Sequence, residues 1–195
     1  MRPQAAFLIA SVFCLSACEE KKEITVTESR APTTRDATPK LSATSDERFR
    51  DAKPSPVTAE TPSSWLVLPA SQIRLLNYRF GESGMGEVWV SVSGGSVLDN
   101  VNRWLGQFAG APLDADGLAA LPTVSLAGAE GKMVTAAGEY ASGMGAPPKP
   151  GFGLAGVVAA VNGQILTVKM VGPKAEVETA KPALESYIRS LRMAE

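Results

Sequence analysis

The stretch that most narrows the possible folds is a hairpin near the C-terminal end. Leu154 to Val161 is continuously apolar, Asn162-Gly163 follows, and Gln164 to Val171 then alternates. Asn-Gly is favoured where both central residues of a two-residue turn need positive φ, the type I′ geometry whose twist matches that of paired strands. In the second strand Leu166, Val168 and Met170 are expected to point inward, and Thr167 and Lys169 outward. An antiparallel sheet is therefore the frame for the rest of the domain.

Other segments supply its partners. Ile73–Phe80 mixes aliphatic and aromatic residues and reads as a strand, Gly81 to Gly86 as a turn, and Glu87–Ser93 as a strand with Val88, Val90 and Val92 on one face. Short strands are expected at 123–127 and 132–140 around a turn at Gly128-Ala-Glu-Gly131, and a Pro/Gly loop over 141–151. Ser96 to Phe108 is the clearest helix. Val97, Val101, Trp104, Leu105 and Phe108 make one apolar stripe, Ser96 and Asp99 fit a capping box, and Gly110 and Pro112 end it. A last helix begins at Gly172-Pro173, with Val177, Leu184, Ile188 and Leu191 on one side. Pro182 should kink that helix or restart it, because proline lacks the amide donor and clashes with the preceding turn. Strands, helix, antiparallel strands, helix: the order predicts an α+β fold, an antiparallel sheet covered by helices.

The N-terminal end is of another kind. Arg2 and an apolar run from Ala5 to Leu15 have the form of a secretory signal. The run is too short for a bilayer core, which needs about 20 residues. It leads into Leu15-Ser16-Ala17-Cys18, which resembles the lipobox of bacterial lipoproteins. Cys14 follows the bulky Phe13 and fits that motif less well. The resemblance implies cleavage before Cys18, diacylglycerol on its sulfur and attachment to a membrane through that lipid. Each buried CH₂ contributes about 0.8 kcal/mol, so two or three acyl chains hold essentially permanently. In that group Asp after the cysteine favours the inner membrane; Glu19 here implies the periplasmic face of the outer membrane. Residues 1–17 are thus read as the signal and 18–64 as a lipidated, disordered tether. The tether holds Pro32, Pro39, Pro54, Pro56 and Pro62, mixed charges and, as its single aromatic, Phe49. It lacks the apolar area to offset the cost of ordering. A flexible chain of this length spans roughly 35–40 Å. The globular domain is placed at 65–195, from Trp65 onward.

Composition excludes several chemistries. The 195 residues contain no histidine and two cysteines, Cys14 and Cys18. Removal of the signal leaves one cysteine, occupied by lipid, so no disulfide forms within the mature chain. Without histidine there is no Ser-His-Asp or Cys-His catalysis and no zinc site of the usual Cys/His type. A net charge of −1 argues against nucleic acid as a partner. The glycines at 81–86 and 94–95 lack the Lys-Ser/Thr of a phosphate loop.

Two further segments carry a resemblance. Val168-Lys-Met-Val-Gly-Pro173, followed by a helix ending in Tyr187-Ile-Arg-Ser-Leu191, is similar to the end of PsbP-like domains. Asn100-Val-Asn-Arg-Trp-Leu-Gly-Gln107 resembles a helix of bacterial envelope lipoproteins of similar layout. The PsbP likeness implies an α/β/α sandwich around an antiparallel sheet, and an assembly or accessory role. Pro182 departs from the smooth last helix of that group.

Asn100, Arg103 and Gln107, three and four residues apart, share the polar face of the first helix. An arginine between two amides suits a carboxylate, a phosphate or a peptide backbone; the same residues also suit loop bridging. Trp65, Trp89 and Trp104 read as core anchors more than pocket walls. Asp114 and Asp116 lack the rest of a calcium loop. Gly143 to Pro150 suits either a surface loop or a proline-rich docking segment. The expectation is an envelope accessory or adapter protein with an envelope protein partner, bound through Asn100, Arg103 and Gln107, with no catalytic activity, cofactor or metal. A small-ligand carrier needs a cavity between sheet and helices. An enzyme built on Glu87, Glu130 or Glu139 needs two of them facing each other.

Overall fold

The computed structural model describes residues 55–71, 73–143, 145 and 147–194. Signal, Cys18 and most of the tether lie outside the described residues. The elements are β1 (Val57–Thr58), β2 (Leu66–Leu68), β3 (Leu76–Phe80), β4 (Gly86–Ser93), α1 (Val97–Gly106), α2 (Ala115–Ala120), β5 (Thr123–Leu126), β6 (Ala129–Tyr140), β7 (Lys149–Val161), β8 (Gln164–Pro173), α3 (Lys174–Ser190) and β9 (Arg192–Met193). Seven strands form one antiparallel sheet in the order β2-β3-β4-β8-β7-β6-β5.

The hairpin forms as its sequence dictates. Val161 pairs with Gln164, and Asn162 and Gly163 have φ of 49° and 78°. Its strands occupy the centre of the sheet, where both faces are covered. Ala155, Val157, Ala159, Leu166, Val168 and Met170 pack on one face beneath Leu184, Tyr187 and Ile188 of α3. Leu154, Val158, Ile165 and Val171 pack on the other, beneath Val101 and Trp104 of α1. The result is an α/β/α sandwich with two cores, which makes the fold α+β as the element order requires.

That second cover corrects the hairpin reading. Thr167 and Lys169 are each 2% exposed, because the face they occupy lies under α1 instead of in water. Gly156 explains how closely α1 approaches. A Cβ there would lie 2.4 Å from the Val168 carbonyl oxygen and 2.9 Å from Trp104 Cζ3.

Several boundaries differ from the sequence expectation. The domain starts before Trp65: β1 pairs antiparallel with β9, and Val57 is 1% exposed within the core. A two-residue apolar contact this short has no periodicity to reveal it. The turn before β6 is Ala127-Gly128, with φ of 50° and 82°, not 128–131. Gly131 is needed inside the sheet, since a Cβ there would meet Val157 Cγ1 at 2.6 Å. The loop expected over 141–151 is shorter, because Lys149, Pro150 and Gly151 belong to β7. Gly172 and Pro173 end β8. The last helix then runs unbroken through Pro182. Pro182 and Glu178, whose carbonyl loses its helical partner, are both exposed, so water can replace the missing bond. Helix α2, one and a half turns capped by Asp114, has too short a pattern to stand out.

Candidate functional site

Helix α1 is started by the capping box expected of Ser96 and Asp99. The Ser96 hydroxyl and amide hold the Asp99 carboxyl below its usual pKa. On the next turn Asn100 is 2% exposed and fully engaged. Its amide donates to the carbonyls of Gly94 at 3.1 Å and Ser96 at 2.9 Å. Its oxygen accepts from Ser93 Oγ at 2.9 Å and from Arg103 Nη2. Asn100, read from sequence as a binding residue, is therefore a buried bridge between the β4–α1 loop and the helix, and its outward contribution is to orient Arg103. Asn102 bridges likewise, to the amide and carbonyl of Leu113 at 2.8 and 3.0 Å.

Arg103 and Gln107 do open onto a shared space. A cavity of about 460 Å³ lies between α1 and the sheet, with Arg74, Trp89, Trp104, Tyr140 and Lys169 among its walls. That volume is within the range of small-molecule sites. Lys169 reaches it from the central strand β8, where it sits opposite Trp89 of β4 and Gly156 of β7. The missing side chain at 156 leaves room for the Trp104 ring over the strand. Lys169 Nζ lies 5.5, 5.1 and 5.7 Å from the ring centroids of Trp89, Trp104 and Tyr140. It donates to Gln107 Oε1. The carbonyl of Gln107 in turn accepts from the amide of Ala141 at 2.8 Å, fixing the segment after Tyr140. Arg74 stacks on Trp89 with its Cζ 4.3 Å from the ring centroid, and bonds Asn77 Oδ1 and Glu87 Oε2 at 2.9 and 3.1 Å.

Cations predominate around this space: Arg74, Arg103 and Lys169 line it, while Glu87 is held by Arg74. Burial, then Arg103 and Arg74, push the Lys169 pKa down to about 7. Tyr140 is pushed up, by burial first and then by Glu87, so its phenol stays protonated. Among the described residues no carboxylate lines the cavity. Among the described residues no ion pair involves Arg103 or Lys169. A buried cation without a counter-charge is costly, since its desolvation is not repaid. A bound anion would supply that charge.

The other candidates resolve more simply. Glu87 is held by Arg74 and Arg79, Glu130 lies 3.7 Å from Lys132, and Glu139 is exposed on β6. Asp114 accepts from the Gly117 amide at 2.8 Å as the cap of α2. Among the described residues no group of three His, Cys, Asp or Glu is placed to hold a metal ion, and no helix is long and apolar enough to cross a membrane. Trp65 and Trp104 are core residues, Trp104 also presenting a wall to the cavity, whereas Trp89 is a half-buried cavity wall. A groove of about 420 Å³ runs beside α3, but its Glu176 is engaged by the amide and hydroxyl of Ser83, both at 2.9 Å.

Sequence reasoning found Arg103 and Gln107, weighed Trp89 as a pocket wall but favoured the core, and missed Lys169, Arg74 and Tyr140. The available signal was a lysine in the middle of a strand whose hairpin partner is apolar at every position.

No family model matches the chain, and no curated protein matches it. Solved structures similar to it include a protein of Bacteroides thetaiotaomicron VPI-5482, at 12% identity and a TM-score of 0.45, covering 72% of this chain and 46% of that one. This chain therefore spans about half the length of that protein. LpqN of Mycobacterium tuberculosis, described as involved in cell envelope biogenesis, is 15% identical with a TM-score of 0.43, covering 77% and 96%. The cyanobacterial PsbP of Synechocystis sp. PCC 6803 is 12% identical with a TM-score of 0.41, covering 74% and 96%. The α/β/α architecture itself rests on the strand order and the two cores.

Proposed function

We propose that this chain is a lipid-anchored binding module of the cell envelope, held through Cys18 on the periplasmic face of the outer membrane, and that its domain takes a small organic carboxylate without turning it over. The observation that carries the ligand class is Lys169: a buried amine that shares a cavity with Arg103, with no acid in its lining among the described residues. The flat walls of Trp89 and Trp104 suit an apolar group attached to that carboxylate. Of the two non-enzymatic readings of the sequence, this favours the carrier over the adapter. Asn100 is buried and Gln107 is bound to Lys169, which leaves Arg103 as the exposed member of the helix face first considered for a protein partner.

The test is calorimetric titration with phenyllactate, an unreactive carboxylate bearing a ring. Saturable binding that weakens at least tenfold in Lys169→Met and in Arg103→Ala supports the reading, a loss of about 1.4 kcal/mol per tenfold. Absence of binding, or equal binding by both variants, overturns it.

A further inference from the structure

The cavity also holds a nucleophile that anion binding does not use. Lys169 Nζ donates to Gln107 Oε1 and is otherwise ringed by Trp89, Trp104 and Tyr140. An ammonium there is poorly solvated and repelled by Arg103 and Arg74, whereas an uncharged amine is neither, and its pKa is accordingly near 7. Desolvation together with a neighbouring cation is the arrangement that activates lysine amines toward carbonyl carbon.

We propose that Lys169 captures a 2-oxo carboxylate reversibly as an imine, with Arg103 holding the carboxylate. This rests on the binding reading above and narrows its ligand to an acid with a carbonyl beside the carboxylate. Arg103 lies one turn before Gln107, the C-cap of α1 that is bonded to Lys169, and all three line the same cavity. Asn100 Oδ1 anchors the guanidinium through Nη2. A 2-oxo acid carries both groups that these residues address, a carboxylate for Arg103 and a carbonyl carbon for Lys169, within one small molecule.

The step balances without a redox partner. The Nζ lone pair forms a bond to the carbonyl carbon, and a proton moves from nitrogen to oxygen to give the carbinolamine. The hydroxyl then departs as water, with one proton taken from solvent, while the nitrogen lone pair forms C=N⁺H. Water reverses the sequence and releases the ligand. Arg103 is the more exposed of the two cations, so a carboxylate held there leaves the burial of Nζ, the main cause of its neutral fraction, in place.

The full chain in detergent is incubated with phenylpyruvate and sodium cyanoborohydride near neutral pH, then digested and mapped by mass spectrometry. A reduced adduct on Lys169 should form on the order of tenfold or more faster than on exposed lysines, because an amine of pKa about 7 is roughly half neutral there and an ordinary lysine under about one part in a thousand. Lys169→Arg, which keeps the charge, should lose the adduct, and Arg103→Ala should slow it, with thermal melts showing both variants folded. Labelling of Lys169 no faster than of the exposed Lys149, or an unchanged rate in Arg103→Ala, overturns the proposal. Phenyllactate separates the two ideas. Binding of phenyllactate without trapping of phenylpyruvate removes the imine and leaves the carboxylate site; failure of both removes both.

Discussion

Lys169 Nζ donates a hydrogen bond to Gln107 Oε1, joining the central strand β8 to the C-cap of helix α1 across the face of the sheet that this helix covers. No acid answers the lysine, and the cost of that arrangement can be measured as a pH dependence. The folded pKa, about 7, is below the ordinary lysine value, so above pH 7 the unfolded chain binds the extra proton. Stability should therefore rise with pH through this window, by about 2–3 kcal/mol between roughly pH 7 and 9. Below pH 7 the penalty is present in full. Denaturant melts of the native protein and of Lys169→Met test this. The variant should lose the slope and be the more stable at pH 6, and an identical slope in both would remove Lys169 as the cause.

Asn100→Ala should destabilise the domain by about 1–3 kcal/mol, because the buried Asn100 amide serves two backbone carbonyls, a serine and Arg103 at once. Arg103→Ala, on the exposed side of the same helix, should cost under about 0.5 kcal/mol. Urea unfolding of the two single variants separates a structural asparagine from a ligand-facing arginine; equal costs would contradict that division.

Gly156→Ala should cost about 2 kcal/mol or more, since the new methyl meets the Val168 carbonyl and the Trp104 ring inside 3 Å. Trp104 fluorescence should shift as the ring is displaced. Gly94→Ala is the control: a Cβ there meets nothing within 4 Å, and both stability and emission should stay unchanged.

Ala127→Gly should stabilise the β5–β6 turn by about 1 kcal/mol, the cost of holding alanine at a positive φ of 50°. Thermal melts that show no gain would mean that the turn relaxes elsewhere.

Cys18→Ala should abolish incorporation of a palmitate analogue and move the protein from the membrane to the soluble fraction. Label retained by the variant would eliminate Cys18 as the anchor.

Local signals were the ones legible in sequence. The Asn162-Gly163 turn, the Ser96–Asp99 capping box and the Val101/Trp104 stripe each lie within a few residues, where backbone preference and periodicity act directly, and they suffice for an antiparallel sheet covered by helices. Arg103 and Gln107 were visible for the same reason, as neighbours on one helix face. What tertiary structure decided was the meaning of each face. Alternation along β8 places Thr167 and Lys169 together, but whether that side meets water or Trp104 depends on Gly156, on another strand, admitting the helix. Arg74, Trp89, Tyr140 and Lys169 come from four strands or their edges, so nothing in their spacing announces a cavity. Val57 against Met193 is likewise a contact between segments far apart in the chain, and no sequence period records it. Covalent neighbours fixed the elements; long-range packing fixed which side chains lost their water, and with it the lowered pKa of Lys169.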